Sequence, residues 1–142
     1  MNRVIVVAGA TRVITRKECT LIRTVLTSDV DKWNAEQIRD GVRDYDTICL
    51  HGGSSRGVDY FVNSFMHSCW SFECNHELHN ATKVRDKNMI AVAATLKMYG
   101  HSVIVYVFPT KKTSETNHII KLAQQHELEL KVYPLGEECL ST

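Results

Sequence analysis

Short runs of apolar and β-branched residues recur along this chain, each followed by turn-forming residues and then by a helical pattern. Val4–Ala8, Thr47–Leu50 and Val103–Phe108 do not alternate polar with apolar positions, so as strands they need cover on both faces. Ser71–Cys74 and Glu129–Val132 read as further strands of less regular pattern. Between the runs lie helical stripes: Leu21, Ile22, Val25 and Leu26; then Val58, Phe61, Val62, Phe65 and Met66; then Met89, Ala93 and Leu96; then Ile119, Ile120 and Ala123. Thr15-Arg16-Lys17-Glu18 matches a capping box that would start the first helix, and an additional helix is expected over Val30–Val42. Strands that alternate with helices require crossover connections. The expected architecture is therefore a Rossmann-like three-layer α/β sandwich with a mainly parallel sheet of about five strands.

The 142 residues suit a single domain, with a core over about 4–132 and a tail over 133–142. Lys and Arg number 17 against 16 Asp and Glu, a formal charge of +1, so no global field draws the chain to nucleic acid or to a membrane surface. Nucleic acid is accordingly not expected as a partner, and any anion site has to be local. No apolar run, Val4–Ala8 included, approaches the roughly 18 residues that cross a bilayer. The N-terminus has no secretory pattern, and five irregularly spaced cysteines make no disulfide framework, so the expected location is the cytoplasm with reduced thiols.

Ligands of such sheets bind beyond the carboxyl ends of the strands, where the unusual residues of this chain collect. The first strand runs into Gly9-Ala10-Thr11-Arg12, which offers backbone amides, a hydroxyl and a guanidinium. The second runs into His51-Gly52-Gly53-Ser54-Ser55-Arg56-Gly57-Val58-Asp59 and straight into the most regular helix. Its glycines let the backbone approach a ligand, and the helix N-terminus adds partial positive charge. The loop is neither a Walker A sequence nor a Gly-x-Gly-x-x-Gly dinucleotide loop. Asp59 reads either as a ligand-binding group or as a carboxylate favoured by the helix dipole. His51 reads either as a catalytic base or as a hydrogen bonder that orients the loop. In Lys83-Val84-Arg85-Asp86-Lys87-Asn88-Met89 the charges are a solvated face unless Arg85 joins the two loops.

Taken in order, Gly9-Ala10-Thr11-Arg12, Gly52-Gly53-Ser54-Ser55-Arg56-Gly57-Val58-Asp59, Arg85-Asp86-Lys87-Asn88-Met89 and Ser114-Glu115-Thr116 resemble the elements of the SLOG superfamily of nucleotide-binding proteins. The likeness is to its small single-domain group found in bacteria and phages, and it runs from about Val4 to Val132. It implies a nucleotide or nucleotide-derived ligand, ADP-ribose-like or NAD-like, held by Gly9, Ala10, Thr11, Arg12, Gly52, Gly53, Ser54, Ser55, Arg56, Gly57, Asp59, Arg85 and Thr116. No other cofactor is implied. The loop 109–116 lacks the Pro-Gly-Gly-x-Gly-Thr-x-x-Glu signature of the LOG-type phosphoribohydrolases, which favours a sensing or sequestering module over an enzyme. The alternative is a hydrolase of an N-glycosidic or phosphate bond, with Asp59, Asp86, Glu115 or His51 as the acid/base group. Lys111 and Lys112 would supply further charge to an anion.

Cys69, Cys74, His76 and His79 crowd together, but their spacing matches no familiar zinc site and reads as buried thiols and surface histidines. Trp33, Trp70, Phe72, Tyr99 and Tyr133 lie at segment ends or in poorly patterned stretches. Exposed aromatics mark contacts, and related superfamily members pair through flanking helices, so a homo-oligomer is expected.

Overall fold

A computed structural model describes residues 1–74, 77, 80–110 and 115–136, except the side chain of Glu115. The chain order is β1 (Arg3–Gly9), α1 (Arg16–Arg39), β2 (Thr47–His51), α2 (Val58–Phe65), β3 (Cys69–Ser71), α3 (Ala81–Met98), β4 (Ser102–Phe108), α4 (Glu115–Gln125) and β5 (Glu129–Val132). The strands form one parallel sheet in the order β3-β2-β1-β4-β5, so strand order reverses between β1 and β4. This is the Rossmann-like α/β sandwich that the alternation of runs requires.

Alternation along the two central strands builds the two cores. Val4 and Val6 of β1, with Val103, Val105 and Val107 of β4, face Met89, Ile90 and Ala93 of α3 and Ile119, Leu122 and Ala123 of α4. Ile5 and Val7, with Ile104, Tyr106 and Phe108, face Ile22 and Leu26 of α1 and Val58 and Val62 of α2. Apolar burial on both faces explains why Val4–Val7 and Val103–Val105 do not alternate polar with apolar positions: each fully buried Val, Ile or Leu contributes roughly 1.5–3 kcal/mol.

Several sequence expectations are corrected. The helices expected near Thr15 and over Val30–Val42 are one 24-residue helix, since neither Gly nor Pro interrupts residues 16–40. It opens with the Thr15/Glu18 capping box and ends at Asp40, just before Gly41 turns the chain with φ +74°. The third strand is Cys69–Ser71 rather than Ser71–Cys74, because it is Cys49–His51 that pairs with it. Packing also continues past Val132. Tyr133 N and Leu135 N donate to Val107 O and Pro109 O, both at 2.8 Å, and Tyr133 stacks on Tyr106 and Phe108. Trp33 is buried against the edge of Tyr45, whereas Trp70 and Tyr99 are 45% and 80% exposed. Among the described residues, no helix is long and apolar enough to cross a membrane.

Candidate functional site

The loops after β1 and β2 lock together through their glycines. Val58 N donates to Ala10 O at 2.9 Å, and Ala10 N donates to Phe108 O at 3.1 Å, which seats the β1 loop beside the start of α2 and the end of β4. Gly57 holds φ +86° and ψ −150°, and a Cβ there would strike the carbonyl of Ala10. A Cβ on Gly9 would come 2.6 Å from Val58 Cγ2. These two glycines serve loop-on-loop packing first, and the site inherits its shape from that packing.

Gly52 and Gly53 serve different neighbours. A Cβ on Gly52 would sit 2.8 Å from Arg85 Nη1 and 2.9 Å from Asp59 Oδ2, so only glycine lets those two side chains close over the backbone. Gly53 has φ +71° and lies against Ser71 Oγ. Bulk at Gly53 therefore strains the backbone and displaces β3, and such a variant would not test ligand contact alone. His51, 2% exposed, has both ring nitrogens engaged: Gly53 N donates to Nδ1 at 3.0 Å, and Nε2 lies 3.0 Å from Asn63 Oδ1. With Nδ1 accepting, the ring proton sits on Nε2 and is directed at Asn63. Of the two readings of His51, the structure supports the loop-orienting one.

Beyond the ends of β1 and β4, at the reversal of strand order, lies a crevice of about 20 Å³, lined by Gly9, Thr11, Gly52, Ser54, Asp59, Arg85, Asp86 and Thr116 among others. That volume admits about one water-sized group. Asp59 is 6% exposed and Thr116 4% exposed, and Asp59 Oδ1 and Thr116 Oγ1 are buried without a hydrogen-bond partner among the described residues. Burial raises the Asp59 carboxyl above its ordinary value, opposed by His51 and Arg85 and by a hydrogen bond from Ser54. Each such orphaned atom costs roughly 1–3 kcal/mol, which is unusual where nothing is to be bound.

The crevice continues outward. Thr11, Gly52, Ser54 and Arg85 also line a hollow of about 450 Å³ that adds Gly53, Ser55, Arg56, Glu73 and Cys74. This is the size of a small-ligand site. Arg85 binds Asp86 Oδ1 through Nε at 3.2 Å and Nη2 at 3.0 Å, and Nη1 reaches toward Gly52. Asp86 therefore orients Arg85 and partly offsets its charge, and its Oδ2 lies 3.5 Å from His118 Nδ1 of α4. The backbone amides of Ser55 and Arg56 carry no hydrogen bond to the described chain. They stand open to an anion beside the N-terminus of α2.

Arg12 does not join Arg56 and Arg85 in either hollow. Its guanidinium grips Glu18 through Nη1 at 2.9 Å and Nη2 at 2.8 Å and also donates to Gly136 O at 3.0 Å. The sequence reading of Arg12 as a phosphate ligand is corrected: the capping-box glutamate, already fixed over Thr15, captures it. Arg12 holds the Glu18 carboxyl below its ordinary value of 4.5. Because the folded value is the lower one, the stability this pair supplies is full above the ordinary value and is lost as pH falls through the folded one. Arg12→Gln is expected to lower stability at pH 7 by about 1–2 kcal/mol and by less near pH 3. Urea denaturation at the two pH values checks this; equal losses at both would show that the pair is not what Arg12 supplies.

Lys111, Lys112, the side chain of Glu115, His76 and His79 lie outside the described residues. Sequence reading missed Glu73 and Cys74 as lining residues, and only the register of β3 against β2 brings them to the hollow. A groove of about 730 Å³ between α1 and the β4/β5 side of the sheet is larger. Its polar floor is self-satisfied, with Arg3 bound to Asp29 and Ser102 and Tyr106 donating to Asp29. It also lies toward the amino ends of the strands, away from the reversal point.

No family model matches the sequence, and no curated protein matches it. Among solved structures, the chain is similar to the C-terminal domain of a hydrogenase from Pyrococcus furiosus at 6% identity. That match covers 93% of this chain and 91% of that one with a TM-score of 0.42.

Proposed function

We propose that the crevice and the hollow together bind a nucleotide or nucleotide-derived ligand, with its phosphate on Arg56, Arg85 and the Ser55–Arg56 amides. A hydroxyl or amine of the ligand enters the crevice against Asp59 and Thr116. The observation that carries this reading is the pair of buried, unpartnered oxygens, Asp59 Oδ1 and Thr116 Oγ1, beside a guanidinium at the reversal of strand order. The resemblance to the SLOG superfamily supports the same class of ligand. Calorimetric titration with ADP-ribose, NAD and AMP tests it. Charge-assisted bonds contribute roughly 1.5–3 kcal/mol, so Arg56→Gln or Arg85→Gln is expected to weaken binding about ten- to a hundredfold. Affinities equal to wild type in both variants would overturn the reading.

One observation favours a hydrolase as the second reading: the Asp59 carboxyl, raised by burial, holds a proton more readily than an exposed aspartate and so suits a general acid. Release of adenine, ribose 5-phosphate or inorganic phosphate during incubation with AMP or ADP-ribose decides between cleavage and binding. The same proposal takes the protein as cytoplasmic, without nucleic acid as a partner, and as a homo-oligomer. Exposed Trp70, Met98, Tyr99 and Val132 supply apolar contact surface for assembly. Sedimentation is expected to show species heavier than 16.1 kDa, and a monomer at every concentration would contradict assembly.

A further inference from the structure

Cys49 of β2 and Cys69 of β3 are register partners on adjacent parallel strands. Partners in a parallel pair project to the same face, and both side chains pack into the core beneath α1 and α2. Neighbouring strands lie about 4.8 Å apart, inside the Cα separation of roughly 4.4–6.8 Å that a disulfide spans. Both thiols are free. Cys49 is fully buried, whereas Cys69 is only partly covered at the sheet edge. One sulfur can meet a small solute while the other waits behind it.

We propose that Cys49 and Cys69 form a peroxide-reactive dithiol in which Cys69 is the attacking sulfur and Cys49 the resolving one. The Cys69 thiolate attacks a peroxide oxygen and the O–O bond breaks. The sulfur becomes a sulfenic acid, and the displaced hydroxide takes up a proton and leaves as water. Cys49 then attacks the sulfenic sulfur, the S–O bond breaks, and the departing hydroxide carries away the Cys49 proton as a second water. The dithiol is oxidised to a disulfide and the peroxide is reduced.

The groups facing the pair assist this division of roles. The neighbouring Cys49 thiol brings the Cys69 thiol down to about 6, with His51 of β2 and His67 of the turn before β3 adding to it and partial burial opposing. The Cys49 thiol is pushed well up by its neighbour Cys69 and by burial, and Asp59 of α2 adds to the rise. In its thiol form Cys69 also donates to Met66 O at 3.6 Å. The cross-link would tie β3 to β2 next to His51 and Ser71, the latter packed against Gly53, so oxidation would be felt at the candidate site. The proposal does not depend on any ligand being bound there.

The test treats the whole chain with hydrogen peroxide at pH 7, followed by alkylation and peptide mapping. The expected product is a Cys49–Cys69 disulfide, with the intact mass lower by two hydrogens, formed equally in Cys19→Ser, Cys74→Ser and Cys139→Ser. Cys49→Ser should stop at a sulfenic acid on Cys69 that dimedone traps, and Cys69→Ser should leave Cys49 reduced. Iodoacetamide at pH 7 should modify Cys69 about tenfold faster than Cys19 in the untreated protein. A disulfide to any other cysteine, or Cys69 reacting no faster than Cys19, would overturn the proposal. Both of those readouts use the unsubstituted chain and survive a variant that fails to fold.

Discussion

Gly57→Ala is expected to destabilise the fold by about 3–5 kcal/mol, more than any other single methyl added to a glycine outside the sheet. Two costs coincide there. A backbone with φ +86° and ψ −150° lies in a region that essentially only glycine occupies, worth roughly 1–3 kcal/mol. The added Cβ would also meet the carbonyl of Ala10, which accepts the first α2 amide, Val58 N, at 2.9 Å. Gly100→Ala is the internal reference. Its φ is +95°, but nothing lies within 4 Å of the added atom, so only the conformational cost of about 1–2 kcal/mol applies. Chemical denaturation of the two variants measures the difference. Equal losses would mean that the β1 and β2 loops are not locked together as described.

Asp59→Asn is expected to stabilise the protein while removing its response to ligand. The wild-type carboxyl is buried with Oδ1 unpartnered, and desolvation raises it above its ordinary value of 3.8. Since the folded value is the higher one, the unfolded chain ionises first as pH rises. Stability therefore falls between the ordinary and the folded value and then levels off. The asparagine variant lacks that fall, and at pH 7 the gain should be about 1–2 kcal/mol, the usual size when a residue kept for function is replaced. Binding should drop at least tenfold, because the crevice loses its carboxylate acceptor. Thermal melts with and without ADP-ribose read both effects together. A variant less stable than wild type would make Asp59 a structural residue.

Much of this arrangement was legible in the sequence. Uniformly apolar runs at Val4–Ala8 and Val103–Phe108 announce strands covered on both faces, and the fold places helices on both. The concentration of glycine, serine and arginine after the second run marks the loop that lines both hollows. What stayed hidden depends on competition and on topology. Arg12 has the sequence context of an anion ligand, yet Glu18 is within its reach and pre-oriented by Thr15, so the ion pair forms inside the chain. His51 ends a strand beside a glycine loop, and only the position of Asn63 one helix later shows where its second nitrogen points. The Cys49–Cys69 pair is invisible in sequence, because the adjacency of residues so far apart exists only through the register of β2 and β3.

Amide chemical-shift mapping by NMR during titration with ADP-ribose tests the central claim most directly. The account predicts progressive, saturable shifts at Thr11, Gly52, Gly53, Ser54, Ser55, Arg56, Arg85 and Thr116, with Asp29, Trp33 and Lys131 of the larger groove unmoved. Shifts confined to that groove, or no saturable shift with ADP-ribose, NAD or AMP, would contradict it.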